Sequence, residues 1–260
     1  TEGDIALYRA MTGNRFAQYS SAEFAKDAGL PGLCIDPLHA FHVVFGKSVP
    51  DISLNAVANL GYADGRFFLP VMPGDTLNTV SRVIGIKENS NGKTGVVWVR
   101  TTGFNQRGET VMSFVRWVMV NKFEMDNPSP EPVLPDLPAA VPANELSGYP
   151  DMKTWDTALA GSPHTFGDYA VGEKINHVDG MTVEEAEHQI ATRLYQNTAK
   201  VHFDAHGQKD SRFGKRLIYG GVVISIARSL AFNGLANAGQ MLAINAGSHV
   251  SPLFAGDTIY

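Results

Sequence analysis

Three long stretches with dense apolar residues, 76–87, 93–105 and 109–121, read as strand candidates. Each is rich in β-branched and aromatic side chains, the composition of a half-buried strand. Asn89-Ser90-Asn91-Gly92 and Gln106-Arg107-Gly108 separate them and supply the turns of an antiparallel meander. Upstream the period changes. Thr1-Glu2-Gly3-Asp4 has a capping residue followed by an acid three positions on, and Ile5, Leu7, Tyr8 and Met11 then make one apolar helix face. Residues 37–45 read as a second helix, apolar nearly all round, with Gly46 as its stop. A helix without a polar face must be wrapped by other structure. Residues 222–232 show the same character, and another helix begins near Thr182. Residues 166–181 before it read as a strand, a glycine-containing turn and a second short strand. A buried helix followed by a meander predicts an α+β fold, a sheet curled round a helix in the hot-dog manner.

The pattern occurs twice. Gly74-Asp75-Thr76 recurs as Gly256-Asp257-Thr258, 182 positions on, and Gly65 and Pro70 match Gly247 and Pro252 at that offset. Further upstream the offset is 183, where Asn14 matches Asn197 and Ile35 matches Ile218. A single-residue gap reconciles the two. Between the copies, residues 127–150 hold seven of the 14 prolines and read as an extended connector. This predicts a first unit at 1–126, a linker at 127–150 and a second unit at 151–260. The second unit stops soon after its Gly-Asp-Thr, whereas the first continues for three strands, and the first lacks a counterpart of residues 166–181. The expectation is a tandem fold whose second copy is cut short, in a fragment of a longer protein.

Composition narrows the partners. The chain is 44% hydrophobic and 18% charged with a net charge of −5, which gives no reason to expect nucleic acid. A single cysteine, Cys34, excludes an internal disulfide and makes a reducing cytoplasm the default. No apolar run approaches the roughly 18 residues of a membrane span. No leader is visible, although the chain opens on Thr1. Nucleotide-binding glycine loops and the Gly-x-Ser-x-Gly elbow are absent from the sequence, which disfavours those enzyme classes.

Three segments of the second copy carry a resemblance: residues 191–202, Ala-Thr-Arg-Leu-Tyr-Gln-Asn-Thr-Ala-Lys-Val-His; residues 216–221, Arg-Leu-Ile-Tyr-Gly-Gly; and Gly256-Asp257-Thr258. They resemble the MaoC-type (hydratase-2) family of acyl-CoA hydratases and dehydratases. That resemblance implies paired hot-dog units, an acyl-CoA thioester as substrate and no separate cofactor. Residues 45–56, 184–188 and 193–202 are similar to the members acting on mesaconyl-CoA. They imply a lyase that reversibly hydrates mesaconyl-CoA (2-methylfumaryl-CoA) to β-methylmalyl-CoA. An (R)-enoyl-CoA hydratase of other substrate range and a non-catalytic acyl-CoA-binding protein are the alternatives. The family motif places an Asp and a His five residues apart. Here Asn197 and Asn14 stand at the Asp positions, and the His is kept as His202 but replaced by Tyr19 in the first copy. An amide is no general base, so the paired mechanism does not transfer unchanged.

Hydrating an unsaturated thioester needs a base for water, donors for the thioester oxygen and an acid for the α-carbon. His202 is the motif residue that titrates near neutral pH and is the expected acid/base; the bland alternative is a structural histidine. Asn197 would orient water. Backbone N–H groups of Gly220 and Gly221 are natural oxyanion donors, unless the glycines only open a helix. Tyr219 would donate to the thioester or to a free carboxylate, or simply pack. In the first copy, Ile35, Asp36, Pro37, Asn55, Arg66 and Phe67 are the expected CoA-side contacts, each open to a purely structural reading. Lys200 and Arg216, within a basic run that includes Arg193, Lys209, Arg212 and Lys215, would meet the CoA phosphates or form a solvated edge. His202, Asp204 and His206 would share one strand face, but no fourth ligand follows and no metal is expected. His39 and His42 read as core histidines. The two units are expected to pair internally, with a homo-oligomer left open.

Overall fold

The computed structural model describes residues 1–146, 152 and 154–260. Helix α1, Glu2–Thr12, opens with the anticipated capping box: the Thr1 hydroxyl accepts the Asp4 N–H, and the Asp4 carboxylate reaches back to the Thr1 amine. Gly13 ends it with φ 68°, a left-handed cap that glycine takes without strain. Helix α2, Ala22–Asp27, leads to α3, Pro37–Ile52, which has Asp36 as N-cap and Pro37 in its first turn.

Gly46 does not stop α3. The helix runs six residues further, through Gly46 and Pro50. The glycine serves close approach instead. A Cβ on Gly46 would lie 1.8 Å from the carbonyl oxygen of Tyr195 in the other copy. Gly46→Ala would gain helix propensity yet lose far more to the clash. It is expected to destabilise the fold by about 3 kcal/mol, read from the urea midpoint. A neutral or stabilising substitution would show that this contact relaxes freely.

The sheet begins with β1, Ala56–Phe67, which bulges and carries Asn, Gly and Asp in its interior and so lacks clean alternation. The meander follows as β2, Asn78–Glu88, β3, Thr94–Phe104, and β4, Thr110–Asn121, close to the stretches marked by β-branched and aromatic residues. The connector carries a single bridge from Val133 to Ile86 on β2 and a 3₁₀ turn at Ala143–Glu145 among its described residues. Pro150 lies outside them. After α4, Thr157–Ala160, the expected strand pair at 166–181 is not formed. Phe166–Asp168 is a 3₁₀ turn, and only β5, Met181–Thr182, pairs, with β7, Thr258–Ile259. The helix expected near Thr182 is α5, Glu185–Leu194. It is followed by α6, Lys200–Phe203, α7, Gly220–Leu230, α8, Phe232–Leu235, and strand β6, Ala243–Ser248.

Strand order is β2-β3-β4-β1-β6, so the first strand of each copy's sheet lies beside the other in one antiparallel sheet. The register obeys a pseudo-two-fold axis. Shifting by 182 positions turns the pair Tyr62–Gly247 into Ile244–Gly65, and Gly61–Ser248 into Ala243–Arg66; all four pairs are present. The central helices meet on the same axis. His42 Nε2 of α3 lies 2.7 Å from Ser225 Oγ of α7, and these residues are repeat counterparts 183 apart. Buried side chains from both helices, including Leu38, Phe41, Val44, Phe45, Val222 and Ile226, belong to one apolar cluster. The result is the α+β double hot-dog. Its two copies share a core, so neither helix is wrapped by its own strands alone.

Candidate active site

The two central helices begin in opposite ways. At α3, Asp36 accepts the Leu38 N–H at 2.8 Å, and Pro37 has no N–H to offer. At α7, Tyr219 stands at the cap and its side chain caps nothing. Its own N–H donates to His188 Nε2 at 2.9 Å, which fixes the turn into the helix. The N–H groups of Gly220 and Gly221 find no acceptor among the described residues. An uncapped helix start with free amides favours an anionic oxygen.

His202 stands beside this start. Its Nδ1–H donates to the Leu217 carbonyl at 2.9 Å, and Leu217 N–H in turn donates to Val201 O at 3.0 Å. That leaves Nε2 with its lone pair. Burial pushes the His202 pKa down to about 4, against the Leu217 hydrogen bond, which favours the charged form. The ring is therefore a neutral base at pH 7. It lies 5.6 Å from the Tyr219 ring and 6.1 Å, edge-on, from His188. Asn197 is fully buried. Its Oδ1 accepts the Ala199 N–H, and its Nδ2 has no partner. The first copy shows what is missing: Asn14 Oδ1 accepts the Phe16 N–H, and Asn14 Nδ2 donates to Asp36 at 2.8 Å. By the repeat correspondence, Asn197 Nδ2 faces the cap of α7, where Tyr219 replaces the acceptor. A groove of about 420 Å³ runs past the flanking Gln196 and Thr198.

Several expected contacts are engaged elsewhere. The Tyr219 hydroxyl does not face a substrate; it is buried 3.3 Å from His42 Nδ1, because α7 packs on α3 there. Asp36 is fully committed to Leu38, Asn14 and, at 2.6 Å, Arg228. Pro37 and Phe67 are buried, and Ile35 is half-buried with its N–H on Val71 O. Arg66 pairs with Asp64 and Glu145, and Arg216 with Glu185 and Gln189. Asn55 is exposed and ties β1 to β4 through Asn121 O. Lys200 is exposed, like Arg193, Lys209, Arg212 and Lys215. His202, Asp204 and His206 do not share a strand face. His202 lies in the short helix α6, and Asp204 accepts the Gly207 N–H just beyond it.

The copies differ where the helices cross. Asp36 pairs with Arg228; their counterparts 183 positions away are Tyr219 and Phe45, whose rings pack at 5.3 Å. An ion pair closes one helix start, whereas two rings border the other and leave its amides free. Sequence reasoning passed over three residues here. His188 positions the α7 start, His249 packs on Gly220, and Tyr62 lies 3.3 Å from His249 Nε2. The repeat offered a hint, since His249 is the counterpart of Phe67.

The relatives agree with this architecture. Residues 1–104 match the MaoC like domain family. The chain is 61% identical over 260 residues to mesaconyl-CoA hydratase of Cereibacter sphaeroides, covering 99% of this chain and 75% of that protein. It is 58% identical over 262 residues to beta-methylmalyl-CoA dehydratase of Chloroflexus aurantiacus, covering 100% and 74%. The crystal structure of a MaoC domain protein dehydratase from Chloroflexus aurantiacus superposes with a TM-score of 0.96 at 57% identity, covering 99% of this chain and 74% of that one. A double-hotdog protein of Mycobacterium tuberculosis superposes at 0.75 with 25% identity, covering 99% and 78%. The chain spans about three quarters of the length of these relatives and belongs to the MaoC-like dehydratase family.

Proposed function

We propose that the protein is a hydro-lyase that reversibly adds water to mesaconyl-CoA to give β-methylmalyl-CoA. The observation that carries the reading is the neutral base His202 beside the free amides of α7, a pairing that the first copy has lost. The high identity to a mesaconyl-CoA hydratase and a beta-methylmalyl-CoA dehydratase supports the substrate. In the forward direction His202 Nε2 takes a proton from water as its oxygen bonds to the β-carbon. The π electrons move toward the thioester oxygen, which Gly220 and Gly221 N–H groups hold. A proton then returns to the α-carbon. Asn197 Nδ2 would orient the water without acting as a base. Lys200 and the exposed basic run beyond it would meet the CoA phosphates. Water and the thioester balance the reaction, and no redox partner is required.

The test follows the enoyl thioester absorbance with mesaconyl-CoA, and with crotonyl-CoA as a competing substrate. Turnover favouring mesaconyl-CoA is the expected result. Preference for crotonyl-CoA would make the protein a simple enoyl-CoA hydratase. Binding without turnover would make it a non-catalytic acyl-CoA-binding protein.

A further inference from the structure

A line of hydroxyl and imidazole groups runs from α1, across the contact between the central helices, to the start of α7. The Tyr8 hydroxyl donates to Ser225 Oγ at 3.1 Å. Ser225 Oγ is 2.7 Å from His42 Nε2, and His42 Nδ1 is 3.3 Å from the Tyr219 hydroxyl. The Tyr219 hydroxyl also interacts electrostatically with the Tyr62 hydroxyl, and the Tyr62 hydroxyl is 3.3 Å from His249 Nε2. All but His249 are buried.

Counting hydrogens gives the line one direction. Ser225 accepts from Tyr8, so its own proton goes to His42 Nε2. His42 is neutral, since burial pushes its pKa down to about 3. A neutral imidazole that accepts at Nε2 donates at Nδ1, so Tyr219 accepts from His42, which leaves the Tyr219 proton directed away from His42. Burial raises both phenol pKa values, so both keep their protons. Tyr62 then donates to His249 Nε2, and His249 carries its own proton on Nδ1. That nitrogen sits at the first residue of α7: a Cβ on Gly220 would lie 2.7 Å from it. His249 is exposed as a residue, and its Nδ1 makes no hydrogen bond among the described residues.

We propose that His249 Nδ1–H is a third donor, beside the Gly220 and Gly221 amides, to an anionic carboxyl-type oxygen of the acyl group, with its tautomer set by Tyr62 of the first copy. The inference rests on the hydratase reading. It adds a residue that the acid/base motif does not contain and makes the first copy a working part of the second copy's site. The oxygen belongs either to the thioester enolate or to the free carboxylate of the acyl group.

The experiment combines ¹⁵N NMR of the histidine rings with turnover of His249→Ala and Tyr62→Phe on two thioesters. Wild-type His249 should report the Nδ1–H tautomer, and Tyr62→Phe should shift it toward Nε2–H. His249→Ala should lower kcat/KM for mesaconyl-CoA by about 10²-fold, as loss of an oxyanion donor does. Both variants are expected to melt within a few degrees of wild type. An equal loss on crotonyl-CoA assigns the donor to the thioester oxygen. A loss confined to mesaconyl-CoA assigns it to the free carboxylate. Turnover of His249→Ala within threefold of wild type on both substrates, or an Nε2–H tautomer in the wild type, overturns the proposal. A wild type that turns over neither thioester overturns the hydratase reading instead, and the NMR result still decides the tautomer.

Discussion

His202→Ala is expected to lower turnover of mesaconyl-CoA by about 10²- to 10⁴-fold, the usual contribution of a positioned acid or base. The ring's one hydrogen bond, to Leu217 O, sets its tautomer and leaves Nε2 free for water. No other motif residue can take the role, since Asn197 is an amide and Tyr219 is turned into the helix contact. The substitution should leave the fold nearly intact, because His202 lies in a four-residue helical turn and makes a single hydrogen bond. The pH dependence follows from the lowered pKa. His202 is already deprotonated at pH 7, so kcat/KM should not rise on this group's account between pH 6 and 8. It should fall as the pH approaches about 4 and the ring takes up a proton. Turnover of His202→Ala within tenfold of wild type would remove the residue from the chemistry.

A steep loss of stability between pH 6.5 and about 4.5 is the second large expected effect. His39, His42 and His188 are 2%, 0% and 1% exposed, and burial lowers their pKa values to about 4, 3 and 3. Above pH 6.5 the rings are neutral in both folded and unfolded chains, and the stabilisation is complete. Below it the unfolded chain binds protons that the fold refuses. Each such ring then costs the fold up to about 1.4 kcal/mol per pH unit, until its folded pKa is reached. Three together approach about 4 kcal/mol per unit, against a total stability on the order of 5–15 kcal/mol. Urea midpoints at pH 7.5, 6 and 5 would measure the slope. A flat profile down to pH 5 would mean that these rings are protonated in the fold.

Within copy one, local pattern and structure agree where an element is set by neighbouring residues. The strands at 78–88, 94–104 and 110–121 form where runs rich in β-branched and aromatic residues are bounded by turn residues. The cap of α1 is legible because all its atoms lie within four residues. Agreement fails where the partner is distant. Gly46 reads as a stop because glycine usually ends helices; the Tyr195 carbonyl, which demands the missing side chain, is 149 positions away in the chain. Strand β1 is less legible because its bulges break the period of two. Residues 166–181 carry strand-like side chains, yet only Met181 among them finds a strand to pair with.

The sequence by itself determined the double hot-dog, through the β-branched and aromatic stretches, the two apolar helices and the 182-residue repeat, and it singled out His202 and the glycines after Tyr219. These are local properties, set by which residues recur and at what spacing. Only the tertiary structure decided which helix start is open. Asp36 closes α3 with Arg228 from the other copy, while α7 is bordered by Tyr219 and Phe45 and keeps its amides free. It also decided that the Tyr219 hydroxyl is internal and that His249 lies beside Gly220. These outcomes depend on groups brought together across the pseudo-two-fold axis, nearly two hundred residues apart. No periodicity along a single copy encodes the side chain that meets it from the other.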